Sequence, residues 1–329
     1  VTAVARIVIT DCDHGTIEPE RRAAADAGVQ LTLANCADED SVIRAAAKAD
    51  GLIVQYAPIT AGVLAALPKL RVISRYGVGV DTIDVDAAHA RGVLVSNVPD
   101  YGTEDVSDHA IALALALLRG IPQLDRRMRG GDHAIDAVKP LHRLRGRVFG
   151  VVGVGRIGAA TAGKARALGF EVIAHDPVVD SLPEHLRGIP LLPLEDLLCR
   201  ADVVSLHVPL TAATRHLINA DTLSLLRAES VVVNTCRGGV VDTEALADAA
   251  ACGQILGAAL DVVEDEPLRP GHRLYELPNI VLTPHVGWYS EESFTELKRR
   301  AAENAIAGCL GRTPHDVVPA GTRNGEVTA

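Results

Sequence analysis

Residues 148–176, VFGVVGVGRIGAATAGKARALGFEVIAHD, read as strand, glycine loop, helix and second strand without interruption. Val148–Val152 is a short apolar, β-branched run of the kind that a sheet covered on both faces buries. It ends at Gly153-Val154-Gly155-Arg156-Ile157-Gly158, a G-x-G-x-x-G. Gly153 permits the tight turn, Gly155 lets the backbone approach a pyrophosphate, and Gly158 lets the next helix pack closely on the strand. That helix is expected to carry Ile157, Thr161, Ala165 and Leu168 on one stripe and to stop at Gly169. The second strand, Glu171–His175, leads to Asp176, 18 residues beyond Gly158. A carboxylate there accepts hydrogen bonds from the adenosine ribose and repels a 2′-phosphate, and Pro177-Val178-Val179 adds no cation. Taken alone the glycine motif is a weak signal. In this order the five parts specify a dinucleotide-binding unit that takes NAD rather than NADP.

The same alternation of β-branched runs and Ala-rich helical stretches fills the rest of the 329 residues, which makes the chain α/β with parallel sheets. Strands are predicted at 6–10, 29–33, 51–55, 71–75 and 93–97, a small doubly wound unit in itself. Six more are predicted at 148–152, 171–175, 203–208, 230–234, 256–260 and 280–283, matching a dinucleotide-binding sheet. Between the two sets, a helix of about 20 residues is predicted from near Glu104. A last helix is predicted at 290–310, apolar at Phe294, Leu297, Ala301 and Ala305, with a polar end at 321–329 that should fray.

Composition closes other routes. The formal charge is −10 and aromatics make up 3%, so neither a basic nucleic-acid groove nor a base-stacking surface is expected, nor an anionic membrane partner. The longest apolar run, Ala110–Leu118, is too short to span a bilayer. Six scattered cysteines without a C-x-x-C or companion histidines suggest reduced thiols, no metal site and a cytoplasmic setting.

Ligands of open α/β sheets sit beyond the carboxyl ends of the strands. In the second half those ends carry His207, Thr235-Cys236-Arg237, Asp261 and His285, with Glu266 one short loop past Asp261. Hydride transfer to a 2-oxo acid needs a cation on the carboxylate and carbonyl, a proton donor for the developing alkoxide, and a carboxylate to orient that donor. Arg237, His285 and Glu266 provide this set of candidate catalytic residues, with the planar guanidinium suited to a carboxylate.

These residues stand in strings that resemble the D-isomer-specific 2-hydroxyacid dehydrogenases along nearly the whole chain. The strings are RYGVGVDTID (75–84), RGVLVSNVP (91–99), RLRGRVFGVVGVGRIG (143–158), SLHVPLT (205–211), VVVNTCRGGVVD (231–242), ALDVVEDEP (259–267) and LTPHVGWYSEES (282–293). The last, with VQYAPIT (54–60) and NVPDYGTEDVSDHA (97–110), is most similar to the branch that includes the C-terminal-binding-protein corepressors. The resemblance implies a Rossmann domain at 99–287, inserted into a smaller flavodoxin-like α/β substrate domain made of 1–98 and 288–329. It implies that Arg237 binds substrate, that His285 is the acid/base and that Glu266 is its partner. Backbone amides at Val78 and Gly79, in the Tyr76-Gly77-Val78-Gly79 loop, would hold the substrate carboxylate. NAD contacts are implied at Gly153, Gly155, Arg156, Ile157, Gly158, Asp176, His207, Val208, Pro209, Thr214, Thr235, Cys236, Asp261, His285 and Gly287. A homodimer is implied as well, with the helix after Pro99 and its run Ala110–Leu118 in the interface.

Three departures stand out. His133 replaces a Trp that family members usually carry, Asp81-Thr82 replaces Asp-Asn, and Trp288 replaces a small residue. Trp288 reads either as a wall of the substrate pocket, as in the corepressor branch, or as ordinary packing. Two further activities stay open: an NADH-sensing corepressor-like binding protein, and a phosphite dehydrogenase with the same Arg/Glu/His set. A formate dehydrogenase is disfavoured, because that branch carries Gln where Glu266 stands.

Overall fold

The computed structural model describes residues 4–13 and 15–321; of the end expected to fray, only Gly321 falls among them. The chain separates into two compact units, one formed by residues up to Gly102 together with those from Ser290 onward, the other by Thr103–Tyr289.

The first unit is built on five parallel strands, β1 (Arg6–Ile9), β2 (Gln30–Leu33), β3 (Gly51–Val54), β4 (Val72–Arg75) and β5 (Leu94–Ser96). Their spatial order is β2-β1-β3-β4-β5. The expected strands are all present, each shortened at one or both ends. The central strand β3 is buried on both faces, as its run of apolar residues requires. The helix Glu291–Cys309 packs on this sheet and starts with a capping box in which Ser290 and Ser293 satisfy each other's amides. Leu297, Ala301 and Ala305 are buried as the periodicity predicts. The same face also buries Lys298 completely, 2.8 Å from an equally buried Glu20.

The second unit holds β6 (Val148–Val152), β7 (Glu171–His175), β8 (Val203–Leu206), β9 (Val231–Asn234), β10 (Gly257–Leu260) and β11 (Ile280–Leu282). The six parallel strands lie in the order β11-β10-β9-β8-β6-β7. The chain runs from β6 outward to β7 and then returns to place β8 on the other side of β6. The carboxyl ends of β6 and β8 therefore flank the switch point, where doubly wound sheets bind their ligands. Both of the loops leaving these two ends, at Gly153 and His207, start there.

One expectation about the helices is corrected. The helix of about 20 residues is two helices, Thr103–Leu118 and Ile121–Arg129. The break falls at Gly120, whose φ of 61° is left-handed, and Pro122 opens the next helix. The run Ala110–Leu118 also has an internal explanation: Ala110, Ile111, Leu113, Ala114 and Leu118 share one core cluster with Phe149, Val151, Val233 and Ala259. That stripe is buried on the sheet, while Ala112 is exposed and Leu115, Ala116 and Leu117 are half-buried on the rest of the helix. Among the described residues no helix is long and apolar enough to cross a membrane.

The glycine-loop helix, Arg156–Ala167, buries Thr161 and Ala165 of the expected stripe but not its two large residues. Gly158, Ala159, Thr161, Ala162 and Ala165 are buried, whereas Leu168 is 47% exposed and Ile157 only half-buried. Small residues face the sheet because the helix lies too close to it for larger ones, and the apolar period alone does not show that separation.

Candidate active site

The loop after β6 closes on itself. A Cβ on Gly158 would lie 1.9 Å from the Gly153 carbonyl oxygen, so only glycine lets the helix begin there. Gly155 is the helix N-cap without a side-chain cap, the first turn holds no acidic residue, and a Cβ on Gly155 would meet nothing within 4 Å. The space above the helix N-terminus is therefore open and its N-cap residue brings no side-chain acceptor to the amides, the arrangement that favours a phosphate. Asp176 tethers this loop from the end of β7: one oxygen accepts from the Val154 amide at 2.8 Å, the other from Val178 and Val179 at 3.0 and 3.3 Å.

His207 leaves β8 with its amide on the Val152 carbonyl at 2.8 Å and its Nε2 2.9 Å from the Ser205 hydroxyl. Burial pushes its pKa down to about 3, so it is a neutral wall rather than a cation. Beyond it Val208 is buried, and the Thr214 hydroxyl donates to the Pro209 carbonyl at 2.5 Å, pinning the loop. After β9 the Thr235 hydroxyl is buried without a hydrogen-bond partner among the described residues. Burial also raises the Cys236 thiol to about 11, which keeps it protonated and unreactive. A helix N-terminus with a glycine N-cap and an open cradle at the end of β6, and an orphaned buried hydroxyl at the end of β9 with only β8 between them, fit a bound dinucleotide.

Arg237 begins the turn after β9. Its carbonyl accepts from the Asn234 side-chain amide at 3.0 Å, and its Nη1 donates to the Cys236 carbonyl at 2.7 Å. The following Gly238 packs directly on the neighbouring loop, since a Cβ there would lie 1.9 Å from the Val263 carbonyl. That contact brings the Arg237 turn against the segment carrying Glu264 and Glu266.

The turn after β11 winds around Asp261. The Asp261 carboxylate accepts from the Thr283 hydroxyl at 2.6 Å and from the Val286 and Gly287 amides at 2.9 Å each, while its carbonyl accepts from the His285 amide at 2.8 Å. Burial alone would raise the pKa of Asp261, but hydrogen bonds from His109, Thr283, Val286 and Gly287 outweigh it and hold it at about 2. This cage keeps His285 at φ 54°, a left-handed conformation that costs a non-glycine residue ~1–2 kcal/mol. In the structure Asp261 organises the turn from inside, and its carboxylate is already engaged there.

Held this way, His285 places Nδ1 2.8 Å from Glu266 Oε2. The other carboxylate oxygen of Glu266 accepts from the Val263 amide at 3.2 Å. Burial raises the Glu266 pKa, but the His285 hydrogen bond and charge, the Val263 amide and the Arg237 charge prevail and hold it below its ordinary value. The His285 Nε2, at the far end of the ring, has no hydrogen-bond partner among the described residues. Trp288 donates from its indole nitrogen to the His285 carbonyl at 3.0 Å and stacks edge-on against Tyr289, which braces the turn from its far side.

In the first unit, the loop after β4 has Gly77 at φ 125°, with the Val78 carbonyl accepting from the Asn97 side chain at 2.7 Å and the Gly77 carbonyl from the Val98 amide at 2.9 Å. Tyr76 corrects an expectation. Its side chain is 2% exposed, its hydroxyl donates to Glu20, and its ring lies 5.0 Å from the Lys298 ammonium. The β-strand alternation turns it into the interior of its unit, so it does not line an open pocket there.

Two residues that organise this region carry no signal in the sequence. His109, in the Thr103–Leu118 helix, reaches Thr283 and Asp261 across a separation of more than 150 residues. His216, at φ 51°, pairs with Glu264 through Nε2 at 2.6 Å. Only the parallel sheet brings these partners together, and no local spacing encodes it.

Comparison with known proteins agrees with this geometry. The profile of the D-isomer specific 2-hydroxyacid dehydrogenase NAD binding domain matches residues 111–287. A glyoxylate reductase from Korarchaeum cryptofilum is 42% identical over 265 residues, 79% of this chain and 80% of that protein. A D-3-phosphoglycerate dehydrogenase from Mycobacterium tuberculosis is 39% identical over 306 residues, 93% of this chain but 58% of that longer protein. Among solved structures, the D-lactate dehydrogenase from Aquifex aeolicus, complexed with NAD and lactic acid, superposes with a TM-score of 0.85 at 30% identity. That match covers 96% of this chain and 99% of the other.

Proposed function

This chain belongs to the D-isomer-specific 2-hydroxyacid dehydrogenases, a family of NAD-dependent oxidoreductases, and from that premise we propose that it interconverts a short 2-oxo acid and its D-2-hydroxy acid. The observation that carries the proposal is the His285–Glu266 pair, 2.8 Å apart, on loops packed against the Arg237 turn. Bound NADH supplies the hydride. Arg237 binds the substrate carboxylate and polarises its carbonyl. His285 gives the proton from Nε2 to the developing alkoxide, while Glu266, ionised and hydrogen-bonded at Nδ1, fixes the ring and stabilises the imidazolium. In the oxidative direction the same nitrogen takes the proton back.

The cofactor role is proposed for the Gly153–Gly158 loop including Arg156 and Ile157, for Asp176, for His207, Val208, Pro209 and Thr214, and for Thr235, Cys236 and Gly287. Asp176, with no basic residue after it, selects NAD over NADP. In the first unit the amides of Val78 and Gly79 are the proposed carboxylate donors. The homodimer belongs to this proposal too. Ala112, Leu115, Ala116 and Leu117 on the outer side of the Thr103–Leu118 helix, with the exposed Ile121 and Met128 on the next, offer it an apolar surface, and sedimentation of the purified chain measures it.

A corepressor-like binding protein would bind NADH with negligible turnover. The complete Arg237, Glu266 and His285 set favours turnover, and so does the presence of reductases and dehydrogenases among its relatives. The test is NADH oxidation over 2-oxo acids of graded size and charge (glyoxylate, pyruvate, hydroxypyruvate and 3-phosphohydroxypyruvate), with phosphite as the competing substrate in the oxidative direction. Turnover with one or more 2-oxo acids supports the proposal; NADH binding with none, or oxidation of phosphite alone, rejects it. The Trp288→Ala chain run over the same panel shows whether the indole limits substrate size.

A further inference from the structure

The left-handed His285 turn is wound on Asp261, but the cage around Asp261 is closed by a residue from outside the strand ends. His109, three-quarters buried on the Thr103–Leu118 helix, places Nε2 3.0 Å from the Thr283 hydroxyl and 3.5 Å from Asp261 Oδ1. The chemistry assigns its proton. Asp261 is ionised and accepts the Thr283 hydroxyl hydrogen at 2.6 Å. A hydroxyl has one hydrogen to give, so toward His109 the Thr283 oxygen can only accept. His109 Nε2 is therefore the donor, shared between the hydroxyl and the carboxylate.

The contact is tight as well as polar. A Cβ added at Gly287 would lie 2.9 Å from Asp261 Oδ2 and 3.1 Å from His109 Cδ2. The imidazole thus backs both the carboxylate and the end of the turn that it holds. Thr283, Val286 and Gly287, which bracket His285, all hang on Asp261, and His109 is the side chain that fixes Asp261 and Thr283 from behind.

We propose that His109 is a positioning residue for His285: its Nε2–H locks the Thr283–Asp261 pair, which holds the turn that presents His285 to Glu266 and to substrate. This rests on the acid/base role proposed for His285. His109 itself touches neither reacting atoms nor cofactor in this account.

The experiment compares the full chain with His109→Leu, which keeps volume and removes the donor, and His109→Gln, whose amide restores a donor at similar reach. Two readouts are taken. The first is kcat and KM for NADH with the best 2-oxo acid. The second is hydrogen exchange by mass spectrometry of the 283–289 peptide, with 203–208 as control. A displaced catalytic group costs about ten- to a hundredfold in kcat, so His109→Leu is expected to fall in that range. Its KM for NADH should rise less than kcat falls, because, of the proposed cofactor contacts, only Gly287 lies in this turn. Exchange should quicken at 283–289 and not at 203–208, and His109→Gln should recover both readouts.

Unchanged kcat and exchange in His109→Leu would overturn the proposal. So would equal losses in the Leu and Gln variants, because that pattern reports lost packing rather than a lost donor. If the unaltered chain turns over no 2-oxo acid, the proposed function fails, and the exchange readout still decides whether His109 holds the turn.

Discussion

The chain contains two histidine–glutamate pairs whose surroundings are nearly alike, and only one of them is suited to catalysis. His285 pairs with Glu266 and His216 with Glu264, so both carboxylates come from one loop, two residues apart. Both histidines have left-handed backbones, at φ 54° and 51°, and both side chains are almost equally exposed, at 39% and 38%. In each pair burial raises the carboxyl pKa, and the histidine together with a backbone amide more than reverses it. Charge and solvation therefore do not separate them.

The distinction lies in which nitrogen is used. Glu266 takes Nδ1 of His285 and leaves Nε2, the atom farthest from the backbone, for a substrate. Glu264 takes Nε2 of His216, so the reaching nitrogen is consumed. Glu264 also accepts from the Thr243 amide at 3.3 Å, while the His216 amide donates to the Gly239 carbonyl at 2.9 Å. That pair ties down both ends of the segment starting at Gly239, next to Arg237. In the proposed function the first pair moves a proton, and the second braces the loop that carries Arg237.

The largest test of this contrast is to remove each imidazole in turn. General acid–base catalysis contributes about 10²–10⁴-fold, so His285→Ala should lose that much kcat while NADH binding, followed by fluorescence titration, persists. For His216→Ala a loss within about tenfold is expected, since only loop position is affected. Equal losses would erase the distinction. Next in size is Glu266→Gln, expected to cost about a hundredfold, near the lower end of the same range; Glu264→Gln should retain most activity in the same assay. The Glu266 pKa is depressed, so its support for His285 is present above the ordinary carboxylate range and fades only as pH falls through the lowered value. Steady-state rates of the two Gln variants from neutral to acid pH should converge on the wild type for the Glu266 change alone.

Asp261 allows a smaller, thermodynamic test. Its folded pKa of about 2 lies below the ordinary 3.8, and the side chain is buried. The depressed value stabilises the folded chain by about 2 kcal/mol above pH 4, and that contribution is lost as pH falls toward 2. Denaturant unfolding of Asp261→Asn should show a deficit of this size at pH 7 that shrinks on acidification; a deficit independent of pH would mean that packing, not the carboxylate charge, holds the His285 turn. The smallest effect is expected at Asp176. Removing an acceptor of the Val154 amide costs ~1–2 kcal/mol of local order. Asp176→Ala should weaken NADH binding modestly and raise the kcat/KM ratio of NADPH to NADH, whereas an unchanged ratio would place the ribose elsewhere.

These contrasts show what a sequence can and cannot express. The βαβ unit from Val148 to Asp176 is legible because its parts are neighbours in the chain and each has its own period or turn chemistry. The residues Arg237, Glu266 and His285 are legible as types at strand ends, since a parallel sheet places those ends together. The helix break is local chemistry, Gly120 followed by Pro122, that the apolar run hides, whereas the small-residue face of the Arg156–Ala167 helix depends on how closely elements approach, which the apolar pattern does not encode. Tyr76 is misread for a related reason: an aromatic residue beside a glycine loop suggests an open pocket, but Glu20 and Lys298, distant in sequence, bury it. His109 is beyond local reading altogether, because its partners belong to strands added to the sheet more than 150 residues later.

The choice between the two nitrogens is tested most directly by comparing His285→Gln with His216→Gln in NADH oxidation, using the 2-oxo acid that the unaltered chain reduces fastest. The expected result is that kcat collapses for the first, by about 10²-fold or more, and stays within about tenfold for the second, with NADH binding retained in both. Retained turnover in His285→Gln, or a collapse of equal depth in His216→Gln, would contradict it.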